Sequence, residues 1–529
     1  MIKRLTIFTL SLSLGLFGQA FRLSKPFLSD STQVYEGLGS NGITQIAFQG
    51  DSLIWFATGG GLSKTEDFGE NYYTYYPGDN NLPKGGISAI AVLDSIIWVA
   101  GVFDSTTTEG EMQTGGGLAY SKNFGESWTY IPQPVDSTGD KTDIWNGDTV
   151  SFLPITTPVS NTTWDISITR IDDDSIIVYI TSWAGGIRRS RDFGKSWQRL
   201  PLPSDELDML LCSDEIDFEI NPRDPAQYGN HNHKGFSVIS YGDTVWIGTA
   251  DGVNLGIIES DDCIRWQKFN AQNSNLSGNF IVALARQYYN GQETIWVGAL
   301  TAEGSNEIRG VNKTTNAGLT WSRTLVGERI YNFAFDGPTV YVCTENGLYK
   351  SIDGENWALF DHAVDTAKNE HLFSEDVYAA GVDTRQGLSY LWLGTSDGIA
   401  KTANDGVIWS TYRQYLSTNQ AGQPEIYAYP NPFAPNFHNL AGGDGHVRVQ
   451  YYLENAATVK LEVFDFSMDR VYEGELHYIN ITNTKDNSEI WNGRNRAGDI
   501  VANGTYFCKL TIKENDKETA HWTKLIVVK

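Results

Sequence analysis

One short segment recurs along this chain, and it limits the folds open to the chain more than any other feature does. The sequence S-R-D-F-G-K-S-W at Ser190–Trp197 has a near copy, S-K-N-F-G-E-S-W, at Ser121–Trp128, and looser copies bring the total to seven. A self-match that returns at a regular interval indicates a repeat architecture. We therefore expect seven structural units of one kind.

Each unit has the same internal order. An apolar and aromatic run precedes every copy, as in I-W-F-A-T from Ile54 and V-W-I-G-T from Val245. Short runs of Val, Ile, Trp and Tyr between Gly and Asp turns are typical of strands and hairpins. Four strands per unit, with a period of roughly 40–50 residues, match a β-propeller blade. We predict an all-β protein with a seven-bladed β-propeller over residues 21–415, in which residues 21–42 are a candidate strand for closing the ring.

The recurring segment has a physical role of its own. Its Gly permits a positive φ in a tight turn, its Asp or Asn accepts backbone N–H bonds, and its Trp buries a large apolar area between sheets. We predict this structural role for Asp67, Asn123, Asp192, Asp262, Asn316, Asp353 and Asn404.

The segment resembles the Asp-box, also called the BNR repeat, S-x-D-x-G-x-x-W. In that family the box lies on the turn between the third and fourth strands of a blade. The W-x-G-T-x-x-G runs, as at Trp392, also resemble the repeats of two-component-regulator-type propellers. The resemblance covers roughly residues 40–415 and implies a fold rather than a chemistry.

The N-terminus has the pattern of a signal peptide over residues 1–20. Lys3 and Arg4 precede an apolar stretch, Leu5–Phe17, and Gly18-Gln19-Ala20 offers a small-residue cleavage site. No later run reaches the about 18 apolar residues of a membrane helix. We therefore expect cleavage near Ala20 and a secreted or cell-surface protein whose mature chain has no transmembrane segment.

Charge and cysteine content fit that location. The net charge of −25 argues against a nucleic-acid partner, because the phosphate backbone would repel such a surface. The four cysteines show no C-x-x-C spacing, and we expect mostly buried thiols, with a Cys212–Cys263 disulfide as the open alternative. We find no metal-binding or cofactor-binding motif and expect neither group.

After a polar linker, residues 416–424, the pattern changes. Residues 425–529 contain Y-P-N-P-F from Tyr429, V-K-L-E-V-F-D from Val459, W-N-G from Trp491 and N-G-T-Y-F from Asn503. This set resembles the Ig-like domain of the flagellar hook-capping (FlgD-like) family and the C-terminal sorting domains of type IX secretion cargo. The resemblance implies an Ig-like β-sandwich that directs export or surface attachment through the outer-membrane secretion machinery.

Four long insertions point to a binding surface. They lie at Gly101–Gly117, Pro132–Thr163, Pro201–Gly235 and Gly298–Gly310, and blade topology places all of them on the face opposite the boxes. Long loops of this kind are often functional. We predict an acidic helix at residues 204–215 in the third insertion. The candidate binding residues are Trp145, Trp183, Tyr228, His231 and His233.

Three functions fit these patterns. The first is a non-catalytic propeller that binds an extracellular glycan or protein. The second is a glycoside hydrolase or lyase, sialidase-like or endo-glucanase-like, although no F-R-I-P segment occurs and no catalytic pair can be assigned. The third is a structural component of a secretion or gliding apparatus. The missing catalytic motifs favour the first.

Overall fold

The computed structural model describes residues 35–529, except for 79–80, 109, 173–174, 224, 260–261, 303, 305, 361–362, 369, 373, 420–422, 440–444, 481–484 and 516. The predicted signal peptide, residues 1–20, lies outside the described residues. Within those residues the only helical elements are two 3-10 turns, Pro225–Gln227 and His231–His233. The predicted all-β class is confirmed.

Seven antiparallel sheets follow one another along the described chain and pack in a ring, as predicted for a seven-bladed propeller; five have four strands, and blades one and four each have a fifth. In each blade the strands run outward from the central channel in chain order. The second strand of blade one, Leu53–Thr58, is buried at every position, because both faces of its sheet pack against neighbouring blades. This explains why the apolar runs of the repeat show no alternation.

The strands of blades one to four, from the channel outward, have the following bounds. In blade one they are Ile43–Gln49, Leu53–Thr58, Gly61–Thr65 and Tyr73–Tyr75; in blade two, Gly86–Leu93, Ile96–Thr107, Gly110–Ser121 and Thr129–Ile131; in blade three, Thr163–Arg170, Ile176–Ser182, Gly186–Ser190 and Gln198–Arg199; in blade four, Gly235–Tyr241, Thr244–Thr249, Gly252–Ile258 and Ile264–Phe269. Blade four gains a fifth, outermost strand, Met209–Leu210.

Blades five to seven repeat the arrangement. In blade five the strands are Phe280–Tyr289, Gln292–Leu300, Gly310–Thr314 and Ser322–Thr324; in blade six, Ile330–Asp336, Thr339–Thr344, Gly347–Ser351 and Ala358–Leu359; in blade seven, Val377–Asp383, Tyr390–Thr395, Gly398–Thr402 and Ser410–Tyr412. Two short hairpins lie outside the blades, Thr142–Trp145 with Asp148–Ser151 and Val364–Asp365 with Glu370–His371.

The ring closes by packing between blades seven and one. Among the described residues, the N-terminal strand Tyr35–Glu36 pairs with Tyr73–Tyr75, at the outer edge of its own blade, so this strand does not bridge the two blades. The guanidinium of Arg385 in blade seven donates to the carbonyls of Gln49 and Gly50 in blade one, both at 2.9 Å. Side-chain to backbone hydrogen bonds therefore join the first and last blades.

Six of the seven box turns share one set of hydrogen bonds. In the turn of blade three, the Ser190 hydroxyl donates to Asp192 at 2.8 Å, and the Ser196 amide donates to the same carboxylate at 2.9 Å. The amide of Gly194, at φ +77°, donates to the Ser190 hydroxyl at 2.8 Å. Equivalent bonds occur at Asp67, Asn123, Asn316, Asp353 and Asn404.

Asp262 makes different contacts from the other six box residues. Its carboxylate pairs with Arg189, at 2.9 Å, and with Arg191, both in blade three. Because Arg189 is almost fully buried, this pair ties blade four to blade three. The described contacts of Asp262 therefore join two blades.

The segment predicted as an acidic helix is not helical, and that prediction is wrong. It contains the two-residue strand Met209–Leu210, which extends the sheet of blade four. A disulfide, Cys212–Cys263, then fixes the following residues to the same blade. Pairing with a sheet edge and a covalent cross-link therefore determine this backbone more than local sequence does.

Residues 426–527 form two further sheets. One contains Ile426–Tyr429, Val447–Tyr452 and Asp486–Trp491; the other contains Arg470–Glu473, Ala457–Phe464, Gly504–Glu514 and Lys517–Val527, with His477–Ile479 also paired to Ala457–Phe464. Both sheets contribute to one apolar core. Two facing sheets with a shared core make a β-sandwich, while the Ig-like assignment stays a prediction.

Candidate binding cleft at the channel mouth

Every innermost strand has a β-bulge near its first residue, and the bulge determines which side chain lines the mouth of the channel. In blade three the pairing register skips from Thr163 to Asp165, which leaves Trp164 unpaired. The same irregularity occurs in all seven blades. The unpaired residues are Thr44, Ser88, Trp164, Phe236, Val282, Tyr331 and Tyr378. A bulge redirects a side chain away from the ladder.

All seven bulge residues line one cavity of about 440 Å³. The cavity lies where the innermost strands begin, which is the face that carries the long insertions. We call it the channel-mouth cavity. Blades one and two contribute hydroxyl groups to its wall, and the other blades contribute aromatic or aliphatic side chains. The wall is therefore polar on one side and apolar on the other.

The apolar side of the wall is a connected aromatic cluster. The rings of Trp183 and Phe236 meet edge to face at 5.5 Å, and Phe236 meets Phe280 at 4.4 Å. Tyr331 and Tyr378 form a similar pair at 5.0 Å. Such edge-to-face packing fixes ring orientation, so the wall is formed before any ligand arrives.

Two tyrosines of the wall stay neutral at physiological pH. Burial raises the pKa of Tyr378 to about 12. Burial and a hydrogen bond to Asp376, at 2.9 Å, raise the pKa of Tyr331 further. Both phenols therefore keep their protons, and the aromatic wall carries no negative charge of its own.

One cation reaches the channel-mouth cavity. Arg329, just before the innermost strand of blade six, lines the wall with its guanidinium 5.6 Å from the centre of the Tyr331 ring. Among the residues that the structure describes, this guanidinium has no ion-pair partner. Contact with an aromatic face does not neutralise the guanidinium, which keeps its positive charge.

A second cavity of about 470 Å³ adjoins the first. We call it the side groove. Its walls are the end of the blade two–three insertion, residues 153–159, and part of the blade three–four insertion, including Pro222, Arg223 and Gln227. The two cavities share Trp183 and Ser160. We call the two adjoining cavities together the insertion-face cleft.

Buried charges hold one wall of the side groove. Asp136 in the blade two–three insertion pairs with Arg188 at 2.8 Å and with Arg199 at 2.6 Å, and all three side chains are almost fully buried. Burial and the nearby Arg188 lower the pKa of Arg199 to about 10, so the guanidinium remains charged at neutral pH. Asp136 also accepts the backbone N–H of Ile155. The insertion is thus attached to the outer strands of blade three.

A similar network holds the other wall. Asp205 accepts the backbone N–H groups of His231 and Asn232 at 2.9 and 2.8 Å. The fully buried ammonium of Lys268 pairs with Asp251 at 2.8 Å and donates to the Asp205 carbonyl. Buried ionic contacts of this kind need close to ideal geometry, which indicates that the insertion has one defined position.

The structure separates the five candidate binding residues predicted from the sequence. Trp183 lies in the wall between the two cavities. His231 contacts Lys234, which lines the side groove, at 3.1 Å. Trp145 is buried in the core beneath the insertion, at 7% exposure. Tyr228 is 94% exposed and belongs to neither cavity lining.

His233 is a buried structural residue of the insertion. It is 2% exposed, its Nδ1 accepts the Asn221 amide at 3.0 Å, and its Nε2 donates to the Leu202 carbonyl at 3.2 Å. Both ring nitrogens are therefore engaged. His233 shapes the insertion and does not face the cleft.

Sequence reasoning missed the ring of bulge residues. Trp164, Tyr331 and Tyr378 occupy the same position in their blades as Thr44 and Ser88, yet they differ in chemistry. Aligning the seven units on the first strand, rather than on the box, would have placed them in one column. The residues in that aligned position are the sequence signal that would have identified the lining of the channel-mouth cavity.

Neither a membrane-crossing helix nor a cluster of metal-ligand residues occurs among the described residues. No described helix combines the length and hydropathy of a membrane-crossing segment. No group of three or more His, Cys, Asp and Glu side chains in the described part of the chain is arranged to hold a metal ion.

No protein-family model and no curated protein sequence matches this chain. Among solved structures, the chain is similar to PorZ, a surface component of the type IX secretion system of Porphyromonas gingivalis, at 14% identity over 92% of this chain and 75% of that one, with a TM-score of 0.27. It is similar to an ancestral GH74 enzyme at 14% identity over 92% of this chain and 62% of that one, with a TM-score of 0.45. It is also similar to YCF48 from Cyanidioschyzon merolae at 15% identity over 72% of this chain and 98% of that one, with a TM-score of 0.36.

Proposed function

We propose that this protein is an exported, non-catalytic propeller that binds an extracellular glycan in its insertion-face cleft. The ring of bulge residues carries the proposal, because seven separate strand irregularities direct side chains into one cavity. A binding site is typically a concave, largely apolar pocket with a few placed polar groups. The channel-mouth cavity has this composition.

The chemistry of the wall favours a sugar. Aromatic faces pack against the C–H faces of pyranose rings, and the hydroxyls of Thr44 and Ser88 and the amides of Gln45 and Gln113 offer hydrogen bonds to sugar hydroxyls. Glycoside hydrolysis commonly requires a pair of carboxylates beside the scissile bond. None of the described residues lining either cavity is Asp or Glu. This lining suits binding better than hydrolysis.

The experiment is a polysaccharide panel with the purified mature chain. Retained protein and released reducing ends are measured in the same samples. We expect retention on at least one polysaccharide without release of reducing ends. Release that tracks protein concentration would instead identify a hydrolase, and absence of both signals across the panel would contradict glycan binding.

For residues 425–529 we propose a role in export or surface attachment. The sequence resemblance to type IX sorting domains supports this role. The last strand, Lys517–Val527, is an edge strand of its sheet and exposes Trp522 and Ile526. The end of this strand is hydrogen-bonded to Asn431 and Phe433, so the part of the edge around Trp522 is the part suited to a partner. Fusion of 424–529 to a periplasmic reporter in a type IX-competent host tests it: export supports the role, and periplasmic retention contradicts it.

A further inference from the structure

The charge of the insertion-face cleft is opposite to that of the whole protein. Asp and Glu outnumber Lys and Arg by 64 to 39 in the chain, for a net charge of −25. The described lining of the two cavities nevertheless contains Arg329, Arg223 and Lys234 and no acidic side chain. A basic cleft on an acidic protein attracts anions locally and repels them elsewhere.

The cations are distributed along the cleft. Arg329 lies at the channel-mouth cavity, while Arg223 and Lys234 line the side groove. Trp183 lies in the wall between them, with the Lys234 ammonium 5.4 Å from the centre of its ring. A ligand that met both Arg329 and Arg223 would have to pass this ring and fill both cavities. Its shape would be elongated, and its negative charges would be spaced along its length.

We propose that the ligand is an acidic oligosaccharide that spans both cavities, with its carboxylate, sulfate or phosphate groups at Arg329 and at the basic side groove. This inference rests on the proposed glycan-binding function and specifies its ligand. Arginine forks bind such anions in bidentate geometry. The aromatic and hydroxyl-bearing wall favours sugar rings between the charges over the backbone of an acidic peptide.

The test is calorimetric titration of the mature chain with a ladder of oligogalacturonides, from the monomer upward. The same ladder with methyl-esterified carboxylates is the neutral control, and a sulfated oligosaccharide ladder distinguishes the two anions. We expect the affinity for one acidic ladder to rise with length and then level off once both cavities are filled. Loss of the charges should weaken binding at least about tenfold, the size expected for one charge-assisted hydrogen bond.

Charge variants locate the site. Arg329→Gln and Arg223→Gln should each weaken binding of the acidic ladder and flatten its dependence on salt, because fewer charges are then screened. Arg265→Gln is the matched control: it removes the same charge from a strand of blade four outside the cleft and should change nothing. Thermal unfolding of each variant confirms that it is folded.

The possible results distinguish failure of the acidic-ligand inference from failure of the proposed glycan binding. Equal affinity for the monomer and the longer chains, or for acidic and esterified ladders, would overturn the inference and leave the proposed glycan binding intact. Equal binding of an oligoglutamate ladder would also overturn it. Failure of every ladder, acidic and neutral, together with failure of the polysaccharide panel, would contradict the proposed function itself.

Discussion

At the scale of single residues, the box turns require a side-chain oxygen that accepts hydrogen bonds, and this oxygen need not carry a charge. Asp and Asn occupy this position in different blades and accept the same hydrogen bonds, as Asp192 and Asn316 show. In these six boxes, the hydroxyl at the start of the box and the amide three or four residues after the Asp or Asn require only an acceptor. The repeat therefore tolerates either residue.

Replacement of Asp192 tests this account. Asp192→Ala should lower the free energy of unfolding by about 1–3 kcal/mol, because the Ser190 hydroxyl and the Ser196 amide lose their acceptor. Asp192→Asn is the matched control and should cost less than about 0.5 kcal/mol, since Asn already fills this position in other blades. Denaturant titration measures both. Equal losses for the two variants would show that the carboxylate charge is the essential feature.

His233 predicts a dependence of stability on pH. Burial lowers its pKa from 6.5 to about 4. Between these values the unfolded chain binds a proton that the folded protein excludes, so stability contributed by His233 is present above pH 6.5 and is lost as the pH falls toward 4. The loss is about 3 kcal/mol, by the conversion of pKa units to free energy.

The measurement compares the wild type with His233→Gln. The difference in unfolding free energy between the two proteins should shrink as the pH falls from 6.5 to 4. Taking the difference cancels the titration of other buried groups, such as His438 and His446. A difference that stays constant over this range would show that His233 is protonated in the folded protein.

At the scale of elements, buried ion pairs position the insertions that form the cleft. Asp136→Ala would leave Arg188 and Arg199 buried without their partner. Breaking a buried pair in this way costs about 3–5 kcal/mol. We expect that loss in the unfolding free energy, together with faster proteolysis of the blade two–three insertion.

The control for Asp136 is a pair at the surface. Glu259→Ala removes the exposed contact with Arg265, at 3.4 Å, and should cost less than about 1 kcal/mol. If the two substitutions cost the same, buried charge does not hold the insertion. Unchanged proteolysis in Asp136→Ala would contradict its role as an anchor of the groove wall.

The sequence allowed prediction of the blades, because the determinants of their strands lie within a few residues of one another. The Ser190–Trp197 box carries its own hydrogen-bonding partners. The cleft could not be predicted in the same way, since Arg329 and Trp183 are distant in sequence and meet only when the ring closes. The predicted helix at 204–215 failed for a related reason: a sheet edge and the Cys212–Cys263 disulfide set its backbone.

At the scale of the whole molecule, hydrogen bonds to a buried ion pair of blade seven join the propeller to the C-terminal sandwich. Arg413 and Asp397 of blade seven pair with almost no exposure. The Tyr429 hydroxyl of the sandwich donates to Asp397 at 2.7 Å, and Arg413 donates to the Asn439 side chain at 3.2 Å. The sandwich is therefore docked on blade seven by more than the chain connection.

This contact predicts that both parts unfold together. Calorimetry of the wild type should show one cooperative transition. Asp397→Ala should lower its midpoint and separate a sandwich transition from a propeller transition, because it removes both the acceptor for Tyr429 and the buried carboxylate that pairs with Arg413. Tyr429→Phe, which removes only the shared hydrogen bond, should have a smaller effect. Two transitions in the wild type, unmoved by Asp397→Ala, would contradict the docking.

The insertion-face cleft is the proposed ligand site. The most direct measurement compares Trp183→Ala with Trp522→Ala in binding to the polysaccharide that retains the wild type. Trp183 lies in the wall shared by both cavities, whereas Trp522 is an exposed tryptophan of the sandwich. We predict that Trp183→Ala weakens binding by about 1–3 kcal/mol, the range for loss of one aromatic contact in a pocket, and that Trp522→Ala has no effect. Unchanged binding in Trp183→Ala, or loss of binding in Trp522→Ala alone, would contradict the claim.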